Sequence, residues 1–274
     1  MNAPSHDINE EQAAAAFTKQ SVKFDALYSK DRIIQYKRER VRQHLQQFIS
    51  PNSTVLELNS GTGEDAVWLA QQGHYVHATD IAEGMQQQLI QKVKALNLQD
   101  KITHEQISFT QLQNLREQNL YDHIFSNFAG LNCTGELDKV LRSFNALLKP
   151  GGKITLVVLP KFCLWEFLLL FKGKFKTSFR RLFSSNGVRA HIEGTYFTCW
   201  YYNSSFVIRQ LQDEFKLLGV EGLCTLVPPS YMEGFAEKHS RLYNFLQLKE
   251  DKWKTKWPWK FIGDYYIISF EKNA

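Results

Sequence analysis

Residues 55–65 read VLELNSGTGED. A short apolar run, Val55 to Leu58, carries a single acid, Glu57, and leads into a turn with glycines at 61 and 63. Such a run reads as a buried strand. Glycine lets a backbone turn tightly and approach a ligand closely. A helix starting near Asp65 then aims its free amides at the same point. The stretch therefore predicts a strand, a ligand-holding turn and a helix, which is the physical default for a nucleotide-like ligand.

The flanking sequence continues this rhythm. Residues 30–49 have apolar positions at roughly helical spacing, and Pro51 breaks the helix. Further helices are expected at 65–72, ended by Gly73, at 84–98 and at 136–148. Strands are expected at 75–79, near 102–107, at 121–126 and at 153–159, with Lys149 to Gly152 as a turn. Residues 1–16 read as disordered or loosely helical, 206–220 as a helix, 227–231 as a rigid turn and 261–270 as the terminal strand. Strands alternating with helices predict an α/β fold: a doubly wound, mostly parallel sheet with helices on both faces. Ligands bind such sheets at the carboxyl ends of the strands, beside the switch in strand order.

The bulk composition sets bounds. A chain of 274 residues suits one large domain, or one domain with a sizeable insertion. Cys133, Cys163, Cys199 and Cys224 are far apart, which suggests neither a zinc site nor a disulfide framework and fits reduced thiols in a cytoplasm. The polar N-terminus is unlike a signal peptide, and no apolar run approaches the length of a membrane span. The net charge of +5 is uneven: residues 161–189 alone carry +6. Such a segment suits nucleic acid, a membrane surface or an anionic substrate, or is simply a solvated face.

Gly61 to Ala66 satisfies G-x-G-x-x-[GA], so a dinucleotide must be weighed. Asp80, closing the second strand, is the carboxylate expected on a ribose. Glu57 argues against the dinucleotide, because it would repel a pyrophosphate and attract an amino group and a sulfonium. S-adenosylmethionine offers both and carries no phosphate. A catalytic Tyr-x-x-x-Lys of an NAD oxidoreductase is also missing beyond the fourth strand.

VLELNSGTGEDAVWLA and VHATDIAEGM, followed by YDHIFSNFAGLN and LLKPGGKITLVV, resemble the class I S-adenosylmethionine-dependent methyltransferases over residues 20–160. The chain departs from the family at Asn59, where the first glycine of the motif stands. The resemblance implies a seven-stranded Rossmann-like methyltransferase fold with a substrate lid. It places Glu57 near the methionine amino group, with the amides around Asn59, Gly61 and Gly63 about the methionine part. Asp80 would take the ribose hydroxyls, and Ile81 and Met85 would sandwich the adenine. Ser108 and the Phe109 amide would face the adenine amine, Asn127 and Phe128 would sit beside the methyl, and Tyr28 would close over the cofactor. The fourth-strand motif lacks the prolines of the amino-methylating type, which points away from nucleic acid as substrate. Residues 160–270 resemble the C-terminal half of an uncharacterised bacterial branch.

The predicted organisation is a helical segment covering the cofactor (1–50), the cofactor-binding core (51–160), an acceptor lid returning to the sheet (161–235) and C-terminal strands completing it (236–274). Residues 162–183 are apolar and basic, and Trp253, Trp257 and Trp259 sit among lysines in 252–260. Both stretches suit an acceptor pocket, peripheral contact with the inner face of a membrane, or core packing. Catalysis at a sulfonium is largely positioning, with a base needed only for an un-ionised acceptor. His191, His239 and Glu166 are candidate bases; His74, His77 and His123 read as structural, and no metal site is expected. The expected function is methylation of a small hydrophobic or aromatic acceptor, most simply on oxygen. The alternatives are an N-methyltransferase on an amine or RNA and a non-catalytic cofactor-binding module.

Overall fold

The computed structural model describes residues 6–117 and 119–273. β1 (Thr54–Leu58), β2 (Tyr75–Asp80), β3 (Ile102–Gln106), β4 (Tyr121–Ser126) and β5 (Leu148–Val158) run parallel. With β8 (Phe215–Leu223) and β9 (Tyr265–Lys272) they form one sheet in the order β3-β2-β1-β4-β5-β9-β8. β9 is antiparallel to both neighbours, so it alone runs against the rest. The central strands are apolar at consecutive positions because helices cover both faces. One face packs α5 (Leu137–Leu147) and α8 (Ser204–Leu211) through Leu141, Phe144 and Val207. The other packs α2 (Arg32–Gln46), α3 (Glu64–Gln71) and α4 (Glu83–Ala95) through Leu45, Leu69 and Leu89. Strand order reverses at β1, which pairs with both β2 and β4, and the crevice above its carboxyl end holds the site.

The structure departs from the sequence reading in four places. Residues 6–16 belong to a single helix, α1 (His6–Tyr28), rather than a loose segment. It lacks a clean apolar stripe, and packing holds it: Ala13 and Ala16 are buried beside Phe197, while a Cβ on Gly84 of α4 would lie 2.7 Å from Ser21 Oγ. Residues 149–152 form a bulge inside β5, where the register jumps from Tyr121↔Leu148 to His123↔Lys153. Of 206–220, only the first part is helical, because Phe215 onward pairs with β9. Residues 236–264 contain no strand: they hold α9 (Phe235–Lys238) and α10 (Ser240–Trp253), so β9 is the one strand after 236.

The insertion holds two short helices, α6 (Leu164–Leu168) and α7 (Phe175–Phe179), then a separate hairpin of β6 (Val188–Ile192) and β7 (Thr195–Cys199). Glu193 and Gly194 both take positive φ at the hairpin turn, as a tight two-residue turn requires. Asn9 of α1 clamps β7, accepting from the Thr198 amide at 2.6 Å and donating to the Thr198 carbonyl at 3.2 Å. His123 is structural: it is buried, its Nε2 meets Thr155 Oγ1 at 3.0 Å, and burial lowers its pKa to about 3. Among the described residues, no helix is long and apolar enough to cross a membrane.

Asn59 occupies the place of the family's first glycine with φ +47, a left-handed conformation that Asn tolerates. Its Nδ2 donates to the Asn127 carbonyl at 2.8 Å and its Oδ1 accepts from Ser126 Oγ at 2.6 Å, tying the ends of β1 and β4 together. The space for its side chain comes from Gly130, where a Cβ would lie 2.3 Å from Asn59 Cγ. Gly130→Ala should therefore destabilise the protein by about 1–3 kcal/mol in urea unfolding, and adding Asn59→Gly should recover part of the loss. An unchanged urea midpoint in Gly130→Ala would remove this account.

Candidate active site

A cavity of about 290 Å³ opens at the carboxyl ends of β1, β2 and β4. It is lined by Tyr28, Glu57, Asn59, Gly61, Asp80, Ile81, Met85, Ser108, Phe109, Asn127 and Phe128. Gly63 alone of the expected cofactor residues is not in the lining. Its amide donates to the Ser60 carbonyl at 3.0 Å, and a Cβ there would lie 2.9 Å from the Leu89 side chain. Gly63 thus serves the close approach of α3 to α4 rather than the approach of a ligand.

The polar end of the cavity is anionic. Asp80 accepts from the Gly61 amide at 2.9 Å through one oxygen and from the Ala82 amide at 2.8 Å through the other. Burial raises its pKa while those amides pull it back. Both oxygens retain lone pairs for a further donor. Glu57 is 2% exposed, and its Oε2 has no hydrogen-bond partner. Burial, reinforced by Asp65, pushes the Glu57 pKa well above the ordinary glutamate value. Such a carboxylate is matched to a donor that only a ligand supplies. Asp65 itself is fully engaged, by Arg42 Nε at 2.9 Å and Asn127 Nδ2 at 2.7 Å.

Ser108 lines the cavity, but its hydroxyl is not free for a ligand: it donates to Glu10 Oε2 at 2.6 Å and caps the turn at Thr110. Glu10 and the rings of Phe17 and Phe24 bring α1 into the wall, none of which the sequence reading named. α1 is strapped over the site by Thr62 Oγ1, which donates to Asp25 at 2.6 Å, and by Lys92, 2.8 Å from Asp25. Phe24 and Tyr28 stack edge-on at 4.6 Å.

The other end is aromatic and cationic. Phe128, Tyr265, Ile34 and Ile192 line it together with Lys37, Arg38 and Ser230. Phe128 and Ala129 hold φ values of 49° and 59° just beyond β4, a strained backbone of the kind that gathers at functional sites. Lys37 was missed because KRER reads as a charged outer face. The signal that marks it is spacing: Ile33, Lys37, Val41 and Leu45 share one stripe, so this lysine sits on the buried side.

None of the three candidate bases lines the cavity. Glu166 is buried between Arg180 Nε and Arg181 Nε, each at 2.9 Å. Burial works to raise its pKa, but the two arginines outweigh it and hold the carboxyl below the ordinary glutamate value. The same cluster brings Cys163, Glu166 and Asp264 within 4.8 Å, but Arg181 Nη2 already lies 2.7 Å from Glu166 and 2.6 Å from Asp264. His191 is exposed on β6 against Tyr196, and the strand's period of two gives the cavity its neighbour Ile192 instead. His239 is exposed beside Phe235 at the start of α10.

Comparison with known proteins places this geometry. Residues 55–152 match a methyltransferase domain family. A stretch of 106 residues is 31% identical to an S-adenosyl-L-methionine-dependent Diels-Alderase of Talaromyces variabilis, covering 38% of this chain and 36% of that relative. Among solved structures, the (4+2)-cyclase SpnF superposes with a TM-score of 0.63 at 12% identity, over 100% of this chain and 99% of that one. The 1,6-didemethyltoxoflavin-N1-methyltransferase of Burkholderia thailandensis, solved with its substrate and S-adenosylhomocysteine, superposes with a TM-score of 0.59 at 13% identity, over 100% of this chain and 94% of that one. Residues 55–152 thus resemble a methyltransferase domain, and the chain has the fold of the class I S-adenosylmethionine-dependent methyltransferases.

Proposed function

We propose that the protein transfers a methyl group from S-adenosylmethionine to a small, apolar or aromatic acceptor, on oxygen. The observation that carries this reading is a single cavity with an anionic end at Glu57 and Asp80 and a ring-lined end at Phe128 and Tyr265. The residues fit the cofactor. The unpartnered Glu57 oxygen suits its amino group, Asp80 suits its ribose, and Ile81 and Met85 suit its adenine. The cofactor supplies a methyl on a sulfonium, so the leaving sulfur needs no acid. The chain supplies position and a dry enclosure, closed over by Phe17, Phe24 and Tyr28 of α1. Oxygen is favoured over nitrogen because Lys37 lines the acceptor end, where its ammonium repels a protonated amine and attracts an ionised oxygen.

A second reading follows from the relatives: a cyclase that binds the same cofactor without consuming it. The 31% identity to a Diels-Alderase favours it, and accumulation of S-adenosylhomocysteine during turnover separates the two.

The lid tip has a property of its own. Phe171 and Phe183 are 81% and 83% exposed, Phe175 is also exposed, and Lys172, Lys174 and Lys176 are interleaved with them. Trp257 is 80% exposed, whereas Trp253 and Trp259 stack on each other at 5.1 Å and are taken up in packing. Rings beside solvated lysines suit an anionic lipid surface, and the lid's reading as a peripheral membrane contact rests on this tip.

Calorimetric titration should show S-adenosylhomocysteine binding to the wild type, loss of binding in Asp80→Ala and no binding of NAD. Tight binding in Asp80→Ala, or preference for NAD, would refute the cofactor assignment. Glu57→Gln should weaken S-adenosylhomocysteine by about tenfold, as loss of a charge-assisted hydrogen bond does. The same change should stabilise the ligand-free protein at neutral pH. The folded state holds the Glu57 proton up to a higher pH than the unfolded chain, so stability falls as pH rises from the ordinary glutamate value to the raised one. Glutamine removes that fall; a Glu57→Gln protein with wild-type affinity and an unchanged pH profile would contradict the role given to Glu57. For the lid, sedimentation with phosphatidylglycerol vesicles should exceed that with phosphatidylcholine and drop several-fold when Phe171, Phe175 and Phe183 are changed to serine. Equal sedimentation with both vesicles would rule out the lipid contact.

A further inference from the structure

Lys37 sits where a lysine is costly. It is 3% exposed, on the stripe that Ile33, Val41 and Leu45 of α2 bury. A buried ammonium needs partners for three donors. Lys37 Nζ has one hydrogen bond, to Ser230 Oγ at 3.1 Å, and among the described residues no carboxylate comes within ion-pair distance of it. Ring faces flank it, Tyr265 at 4.8 Å and Phe128 at 5.7 Å to the centroids, and Asp264 and Asp31 act on it only from beyond ion-pair distance, against the burial that would neutralise it. Arg38, by contrast, stands 3.7 Å from Glu64 and 3.9 Å from Asp65, so its charge is balanced within the protein. Lys37, Ser230, Phe128 and Tyr265 all line the one cavity, at the end away from Asp80.

The hydroxyl partner is held in place by design of its loop. Residues 224–230 run from β8 toward α9 and include Pro228 and Pro229. The buried Glu250 of α10 accepts from four successive amides of that loop: Cys224 at 2.8 Å, Thr225 at 3.0 Å, Leu226 at 2.9 Å and Val227 at 2.8 Å. Ser230 is therefore presented on a fixed backbone, as a preorganised contact requires. The result is a cation with spare donors, a neighbouring hydroxyl and two aromatic walls.

We infer that Lys37 and Ser230 form a seat for an ionised oxygen of the acceptor, so that the acceptor class is an apolar acid or phenol bound as its anion. This deepens the proposed methyl transfer and rests on it for the word acceptor; the seat itself rests on the geometry of Lys37 alone. Carboxylate and phenolate share the required chemistry, an anionic oxygen on an apolar body. Phe128 and Tyr265 take the body, and the ammonium and hydroxyl take the oxygen through a charge-assisted hydrogen bond. An acceptor that enters ionised has no proton to give up. That agrees with a cavity in which, among the described residues, no histidine takes part.

The test uses benzoate, benzamide and benzylammonium as probes of one size and three charges. Each is titrated by ligand-observed NMR against the full chain, with and without S-adenosylhomocysteine. Benzoate should bind at least about fivefold tighter than the other two. Lys37→Met should erase that preference, Lys37→Arg should retain part of it, and Ser230→Ala should weaken benzoate several-fold. Phenolate probes of low pKa, such as 4-nitrophenol, then separate phenols from carboxylic acids. Equal binding of the three probes, absence of benzoate binding, or an undiminished preference in Lys37→Met would overturn the seat. Thermal melting reports whether Lys37→Met folds; if it does not, Ser230→Ala decides, and undiminished benzoate binding there overturns the proposal. Failure to bind S-adenosylhomocysteine would defeat the methyl-transfer reading while leaving the benzoate arm to judge the seat.

Discussion

A carboxylate buried at the end of a central strand, with one oxygen left unpaired, is the constraint on which this structure turns. Glu57 occupies the carboxyl end of β1, next to the point where strand order reverses. Burying an ionised carboxylate without compensation costs several kcal/mol, on the order of what one mutation can remove from a whole domain. The fold meets that cost only in part, through the more distant Arg42 and Arg38, and burial with Asp65 holds the Glu57 pKa well above the ordinary glutamate value. In the proposed function the cofactor's amino group is the donor that meets the unpartnered oxygen. The neighbouring parts serve this arrangement. Asp65 locks α3 to the end of β4 through Asn127, Asn59 locks β1 to the same loop, and Asp80 fixes the Gly61 turn.

The cavity is electrically polarised along its length. Acids gather at the ends of β1 and β2, and an ammonium with no carboxylate at ion-pair distance stands beside Tyr265 of β9, four strands away from β2. Such polarity favours a cationic group at the first and an anionic group at the second, through like-charge repulsion at the wrong end. Closure comes from α1, whose side chains wall the cavity and whose Asn9 holds the β6–β7 hairpin. The hairpin in turn gives Ile192 to the wall and leaves His191 outside. That wall of the cavity is thus built from the first helix and the insertion, elements far apart in sequence.

That division explains what the sequence could and could not tell. β1, β2, β4 and the second half of β5 were legible because each is a nearly continuous buried run. The lining at the ends of β1, β2 and β4 was legible because its residues lie on strand ends, close in sequence to a recognisable turn. α1 was not, since its apolar residues follow no single stripe and its order comes from packing on Phe197 and Gly84. The boundary between α8 and β8 was hidden in FKLLGV, an apolar run that suits helix or strand until β9 pairs with it. The bases were sought by residue type, and type misled: Glu166 lies in an apolar run because Arg180 and Arg181 hold it there. Lys37 needed position rather than type, being a lysine at a core spacing.

The most direct test of the account is a crystal structure of the protein with S-adenosylhomocysteine. The account predicts the ligand's amino group within hydrogen-bond reach of the Glu57 carboxylate, both ribose hydroxyls on Asp80 and the ring-lined end beside Lys37 left free for a second molecule. A ligand with its ribose away from Asp80, or with its amino group turned from Glu57 toward Phe128 and Tyr265, would contradict it.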